Sequence, residues 1–251
     1  MKNNKKIPVF NFTLGNKEKK FVNDCLKTSF IGQGSYVKTF EKNFSKFINC
    51  NFGVTTTSGT TALHLACKTV GIEKDDQVLV SSSTNMASAF SVDYCGAIPI
   101  PIDIEKETWQ MDVRKIEEKI NEKTKAIMVV HLFGHPVDMD PVLKIAKKYN
   151  LKIIEDCAQA HLTKYKNKIV GNFGDVGTFS FFPAKNIGAM GDAGAIICND
   201  KNLYNKLKKF KNHGSLKKND NETYGINSRL DTIQACILNK KISRIKKFNL
   251  Q

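Results

Sequence analysis

Gly177-Thr178-Phe179-Ser180-Phe181-Phe182-Pro183-Ala184-Lys185-Asn186-Ile187-Gly188 is the stretch on which the reading of this chain turns. An apolar run of strand type ends at a proline, and one lysine then stands in a turn rich in small residues. A lysine directly after a buried strand is pushed toward its neutral amine, because burial disfavours the cation. A neutral amine at a strand end can attack a carbonyl carbon and form a Schiff base. The plain alternative is a surface lysine, and with 39 Lys and Arg residues in the chain that is the usual fate of any one of them. The company Lys185 keeps upstream argues against it.

Lys152-Ile153-Ile154-Glu155-Asp156-Cys157-Ala158-Gln159 reads as a buried strand running into an acid. Asp156 would then stand at the carboxyl end of a sheet, where open α/β sheets bind ligands; its plain alternative is a helix-capping aspartate. Gln159 comes to the same side if a helical turn follows. Further back, Thr55-Thr56-Thr57-Ser58-Gly59-Thr60-Thr61-Ala62-Leu63 reads as a strand, a small-residue turn and a helix start. Such a junction offers unpaired amides and the positive end of a helix dipole to a phosphate. Taken alone, Ser58 reads more readily as an ordinary serine cap. A phosphate site, a carboxylate for a pyridinium nitrogen and a Schiff-base lysine are together what pyridoxal 5'-phosphate requires.

These features follow the chain order of the aspartate-aminotransferase-like enzymes of fold type I. The chain resembles the DegT/DnrJ/StrS family of nucleotide-sugar aminotransferases from about Ile31 to Gln251, through SGTTALHLA, VVHLFGHPVDMDP, IIEDCAQAH, GDVGTFSFFPAKNIG and NSRLDTIQA. The resemblance implies a three-layer α/β/α large domain with a mostly parallel mixed sheet over residues 35–228, after an N-terminal segment 1–34. Residues 229–251 are expected to begin a helix leading to a C-terminal small domain that this chain lacks. Lys185 is implied to be catalytic. The amides of Gly59 and Thr60 and the hydroxyl of Ser180 are implied on the cofactor phosphate, Asp156 on the ring nitrogen and Gln159 on the phenolic oxygen. Asn227 is implied to reach the cofactor phosphate of a neighbouring subunit, which gives a homodimer with shared active sites. Arg229 is implied to hold anionic substrate, with a helix-start salt bridge as its alternative. Ile31 and Gly32 lie in a glycine turn that reads equally as a substrate-side turn and as a plain connector. His161 fits the family motif but reads as a structural histidine.

Two departures from the family pattern stand out. Ser81-Ser82-Ser83-Thr84-Asn85-Met86-Ala87-Ser88 places Asn85 where many members carry an aromatic residue that stacks on the cofactor ring. Gly191-Asp192-Ala193-Gly194 has alanine where a glycine is usual. The implied activity is transfer of an amino group, from glutamate by family habit, to a keto sugar linked to a nucleotide, in amino-sugar biosynthesis for surface polysaccharide or glycoconjugate. Relatives with histidine at the lysine position dehydrate sugars instead, and Lys185 argues against that branch. Two other classes stay open: another fold type I enzyme, such as an amino-acid lyase, and a non-catalytic fragment or basic binding protein.

Composition narrows the partners. The 251 residues, 41% hydrophobic and 25% charged, suit one sizeable soluble α/β domain. A net charge of +15 would point to nucleic acid. Only Arg114, Arg229 and Arg244 are arginines, however, and arginine dominates base and phosphate readout. The charge therefore reads as a lysine-rich solvated surface that attracts a nucleotide diphosphate, with no nucleic-acid partner. Seven cysteines without a CxxC pair favour reduced thiols in a cytoplasm over a disulfide framework or a metal site. No signal peptide is evident, and no apolar run approaches the roughly 20 residues of a membrane span.

Alternating strand and helix signals complete the reading. Strands are expected near 52–57, 77–81, 97–102, 125–131, 151–155, 176–181 and 194–198. Helices are expected over 16–28, near 59–71, 85–95, 112–121, 139–149 and 201–212, and from a serine cap at Ser35 with Val37, Phe40, Phe44 and Phe47 on one face. Pro99-Ile100-Pro101 marks an edge strand or a bend, and Lys217 to Glu222 reads as a polar, mobile loop. In the last stretch Ile237, Ile242, Ile245 and Phe248 fall at helical spacing and are expected to form an exposed apolar stripe.

Overall fold

The computed structural model describes residues 14–28, 31–217 and 220–245. Its helices are α1 (Asn16–Leu26), α2 (Ser35–Ile48), α3 (Gly59–Val70), α4 (Met86–Asp93), α5 (Met139–Tyr149), α6 (Lys201–Phe210) and α7 (Thr232–Lys241). The strands of the main sheet are β1 (Phe52–Thr56), β2 (Gln77–Ser81), β3 (Ile98–Ile102), β4 (Thr124–Val130), β5 (Lys152–Asp156), β8 (Val176–Ser180) and β9 (Gly194–Cys198). Two short hairpins complete it, β6 (Lys164–Tyr165) with β7 (Lys168–Ile169), and β10 (Ser215–Lys217) with β11 (Asp220–Asn221).

The seven strands lie in the order β1-β9-β8-β5-β4-β2-β3. β9 runs antiparallel to both its neighbours, while β3, β2, β4, β5 and β8 pair in parallel. Parallel neighbours need crossovers, and the intervening helices supply them on both faces of the sheet. The expected mixed, mostly parallel sheet between helical layers is therefore present. β3 pairs only with β2, at the sheet edge, where Pro99 and Pro101 cost no ladder bond on the open side.

Strand alternation sorts the core. On one face Phe179 and Phe181 meet α2, with Phe40–Phe181, Phe44–Phe179 and Phe44–Phe181 edge to face at 5.3, 5.1 and 5.1 Å between ring centres. Ile127, Val129 and Ile153 cover α5 on the same side. On the other face Ala126, Met128, Ile154 and Val176 pack against α3, α4 and α6. Local signals start or stop two of the helices on this face. Ser58 and Thr61 form a capping box at the head of α3, and α3 ends at Gly71 in the left-handed region (φ 92°). Asp200 caps α6 through the amides of Asn202 and Leu203.

Four local expectations need correction. Residues 112–121 form two 3-10 turns, Val113–Lys115 and Glu117–Lys119, not an α-helix. Asp112 accepts the Arg114 amide and the backbone bonds run three residues back, a spacing that serves Val113, Ile116 and Ile120 as well as a helix would. Ser35 is not the cap of α2: Gly34 occupies the cap position and no side chain closes it. Lys217 and Asp220-Asn221 belong to the β10–β11 ladder, because backbone pairing does not need apolar side chains.

The last correction concerns α7. Ile237, Ile242 and Ile245 are 0%, 7% and 0% exposed, since α1 and α2 both pack on α7. The stripe read as exposed is core, and Phe248 lies outside the described residues. None of the seven cysteines is in a disulfide, and all but half-buried Cys50 are buried. Among the described residues no helix is long and apolar enough to cross a membrane.

Candidate functional site

The end of β5 carries two adjacent acids, and the pleat sends them opposite ways. Ile153 packs with α5 and Ile154 with α3, so Glu155 falls on the α5 side and Asp156 on the α3–α4 side. Glu155 is fully buried and accepts the amides of Gly171, Phe173 and Gly174 at 2.6–2.7 Å, with His131 Nε2 at 3.2 Å. It holds the loop before β8 in place. Asp156 is 5% exposed. Its carboxylate accepts Ser88 Oγ–H from α4 at 2.8 Å and the Ala158 amide at 3.0 Å. No helix follows Asp156; it closes a turn in which Ala160 N–H donates to Cys157 O. Burial pushes the Asp156 carboxyl above the usual carboxylate range, against the Ala158 amide, Ser88 and Lys185.

Lys185 stands in the turn after β8, within electrostatic reach of this carboxylate. It is half-buried, and its amide donates to Phe182 O at 2.8 Å. Burial lowers the Lys185 ammonium below the usual lysine range, and the Asp156 charge opposes that shift. Next to it, Asn186 meets His161 Nδ1 at 3.2 Å. His161 packs its ring on Phe179 and Phe181, and burial lowers it to about 4. A neutral, packed ring matches the structural reading of this histidine.

Because Phe179 and Phe181 point to α2, Ser180 between them points to α3. There it meets Gly59: a Cβ on Gly59 would lie 2.7 Å from Ser180 Cβ. Gly59 and Thr60 open α3 just after Ser58, so their N–H groups are first-turn donors without an intrahelical partner. Ser58 is itself the cap, its Oγ accepting the Thr61 amide at 3.1 Å. Gly194 abuts the same junction, where a Cβ would meet Ser58 O at 2.3 Å. The neighbouring Ala193 is buried without conflict, which explains why alanine is accepted at that position and not at the next.

Gln159 follows in the Asp156 turn, and its Oε1 accepts the Phe133 amide at 2.7 Å. With Oε1 engaged, its NH2 is the group left to donate. Asn85 is an exposed cap of α4, its Oδ1 accepting the Ala87 amide at 3.0 Å. Ser88 was not singled out from the sequence. The available signal was a pair of small hydroxyls, Ser88 and Ser91, three residues apart on the buried side of α4.

Gly32, Asn227 and Arg229 come together beside the Ser58–Gly59 junction. With Gln33, Thr57 and Asp231 they line a cavity of about 400 Å3. Asn227 is exposed, and Arg229 donates to Asn212 Oδ1 at 3.0 Å rather than forming a helix-start salt bridge. Ile31 is 51% exposed, and its carbonyl accepts the Thr232 amide at 2.9 Å. A larger cavity, about 720 Å3, lies past Gln33 between α2 and the 208–216 segment and touches none of the strand-end residues.

The strand-end group of Gly59, Ser88, Asp156, Ser180 and Lys185 is thus assembled from α3, α4, β5 and β8. The sequence pattern of the DegT/DnrJ/EryC1/StrS aminotransferase family matches residues 13–251. The chain belongs to this family. It is 45% identical over 236 residues to a GDP-perosamine synthase of Escherichia coli O157:H7, covering 93% of this chain and 65% of that protein. The DesV structure of S. venezuelae, in complex with a ketimine intermediate, superposes with a TM-score of 0.89 at 35% identity, covering 92% of this chain and 62% of that one. The NtdA structure from Bacillus subtilis, with bound cofactor PMP, gives 0.87 at 32% identity over 98% and 58%. The chain therefore spans less than two thirds of the length of these family members.

Proposed function

We propose that the chain is the cofactor-binding large domain of a pyridoxal-phosphate aminotransferase acting on a keto sugar linked to a nucleotide, with glutamate as amino donor. The observation that carries this reading is the buried Asp156 carboxylate, held by Ser88 and Ala158 and within electrostatic reach of a half-buried Lys185 of lowered basicity. The residues fit the cofactor. Asp156 has acceptor capacity beyond its two donors, which suits a protonated ring nitrogen. Gly59 packs so closely on Ser180 that the first-turn amides of α3 and the Ser180 hydroxyl lie together at a helix N-terminus, which suits a phosphate. Gln159 has an NH2 to give a phenolic oxygen.

When bound, the cofactor supplies an electron sink for the substrate carbon that loses its proton. Lys185 Nζ would bond the cofactor at rest and, once displaced by the amino donor, take and return that proton as general base and acid. Its lowered basicity suits both duties. Asp156 would keep the proton on the ring nitrogen. Asn227 and Arg229, which flank the buried Ser228 where its hydroxyl accepts the Thr57 amide, would serve the neighbouring subunit of a homodimer. Location in the cytoplasm, a role in polysaccharide or glycoconjugate synthesis and a small domain beyond residue 251 belong to the same proposal.

Purified protein given pyridoxal phosphate is expected to turn yellow, and borohydride to fix the cofactor on the peptide containing Lys185. Labelling of another lysine, or none, refutes the assignment. Product analysis after incubation with glutamate and a panel of keto-sugar nucleotides then identifies the sugar.

A further inference from the structure

The loop that carries Lys185 is closed at its base. Ala189 N–H donates to Phe181 O at 2.7 Å and Phe181 N–H to Ala193 O at 2.8 Å. A side chain on Gly188 would come within 2.4 Å of Pro183 O, so the two limbs of the loop touch. α7 grips the outgoing limb at two places. Gln234 meets the Met190 backbone with both ends of its amide: Met190 N–H donates to Oε1 at 2.8 Å, and Nε2 donates to Met190 O at 2.9 Å. Further along α7, the buried Lys241 donates to Gly188 O at 2.7 Å. At its other end α7 holds the glycine turn, because Thr232 N–H donates to Ile31 O and Gly32 O at 2.9 and 2.8 Å.

We infer that α7 is a strut that sets the position of Lys185, with Gln234 and Lys241 as positioning residues. This rests on Lys185 being the cofactor lysine. A paired amide contact fixes both the distance and the orientation of the segment it holds, and reacting groups tolerate little displacement. One buried helix thereby links the loop bearing Lys185 to the Ile31–Gly32 turn. The groups that face Lys185 electrostatically are Asp156 and His161. Gln234 carries no charge, so its loss alters the titration of Lys185 by moving it relative to those groups and to the burial that lowers it. That separates positioning from a direct field.

The test compares the chain with its Gln234→Ala, Gln234→Glu and Asn239→Ala forms. Asn239 lies on the same helix but bonds Tyr36 O and Asn43, away from the loop, so its variant controls for a weakened α7. Amide hydrogen exchange of Gly188 to Gly191 is measured without cofactor. The pH midpoint of the bound cofactor's absorbance, which reports the proton on its link to Lys185, is measured with it. Gln234→Ala is expected to speed exchange at Met190 about tenfold or more and to move the midpoint by about half a pH unit or more. Glutamate keeps the acceptor for Met190 N–H but sets a carboxylate oxygen against Met190 O and adds a charge, so Gln234→Glu is read by exchange alone and is expected to speed it; Asn239→Ala changes neither readout. Unchanged exchange in Gln234→Ala overturns the inference. So does faster exchange with an unmoved midpoint, which marks a merely structural contact. If the unaltered protein binds no cofactor, or keeps its colour after Lys185→Ala, the reading of Lys185 fails instead, and exchange at Met190 still decides whether α7 holds the loop.

Discussion

Ser88 on α4 donates its hydroxyl to Asp156 Oδ2 on β5 at 2.8 Å, in a contact with no access to water. Burial pushes the Asp156 carboxyl up, and the Ser88 hydroxyl is one of the groups that hold it down. Ser88→Ala removes that donor and raises the carboxyl further. A site that needs ionised Asp156 then loses activity at a higher pH on acidification. A hydrogen bond to a charged group contributes about 1.5–3 kcal/mol, so turnover is expected to fall roughly tenfold or more. The check is a pH–rate profile of the half-reaction with glutamate, in which coincident acid limbs would refute the assignment. Asp156→Ala is expected to leave attachment at Lys185 intact and to slow turnover far more steeply.

The contact between Gly59 and Ser180 makes a second prediction. Gly59→Ala puts a Cβ 2.7 Å from Ser180 Cβ, closer than two carbons can sit, so the head of α3 must move. Overpacking of this kind costs about 1–3 kcal/mol. Affinity for pyridoxal phosphate is expected to drop about tenfold or more, with a lower melting temperature. Spectral titration and thermal unfolding measure the two effects, and undiminished affinity would show that the phosphate lies elsewhere.

Asn227 and Lys185 test the shared site. Lys185→Ala and Asn227→Ala proteins are each expected to be inactive as pure homodimers. Mixed under conditions that exchange subunits, they should regain part of the activity, because a hybrid dimer holds one site with neither change. Hybrids shown to form by mass spectrometry yet without activity would place Asn227 in its own subunit's site, or in none.

His161 sets a stability limb. Burial lowers it from 6.5 to about 4 in the fold, so the unfolded chain takes up its proton first as pH falls. Stability from this group is present above about 6.5 and is lost progressively between about 6.5 and 4, on the order of 3 kcal/mol in all. Urea unfolding at a series of pH values should show the decline. His161→Phe, which keeps an aromatic ring against Phe179 and Phe181, should flatten it in that window.

Sequence by itself determined the order of elements and the chemistry on offer. The strand runs, the crossover helices, the serine junction before Gly59, Asp156 after an apolar run and Lys185 after Pro183 are all local patterns, set by side-chain period, caps and breakers. Tertiary structure decided which of these residues meet. Glu155 and Asp156 are adjacent acids of equal local character, and only the packing of Ile153 on α5 and Ile154 on α3 assigns one to the scaffold and the other to the site. Ser88 stayed unread because a serine in a helix announces nothing until β5 lies beneath it. Ile237, Ile242 and Ile245 looked like an uncovered stripe because their partners on α1 and α2 lie some two hundred residues earlier in the chain. The hold of Gln234 on Met190 was illegible for the same reason. Contacts between distant segments depend on how sheet and helices stack, and local propensity carries no record of that.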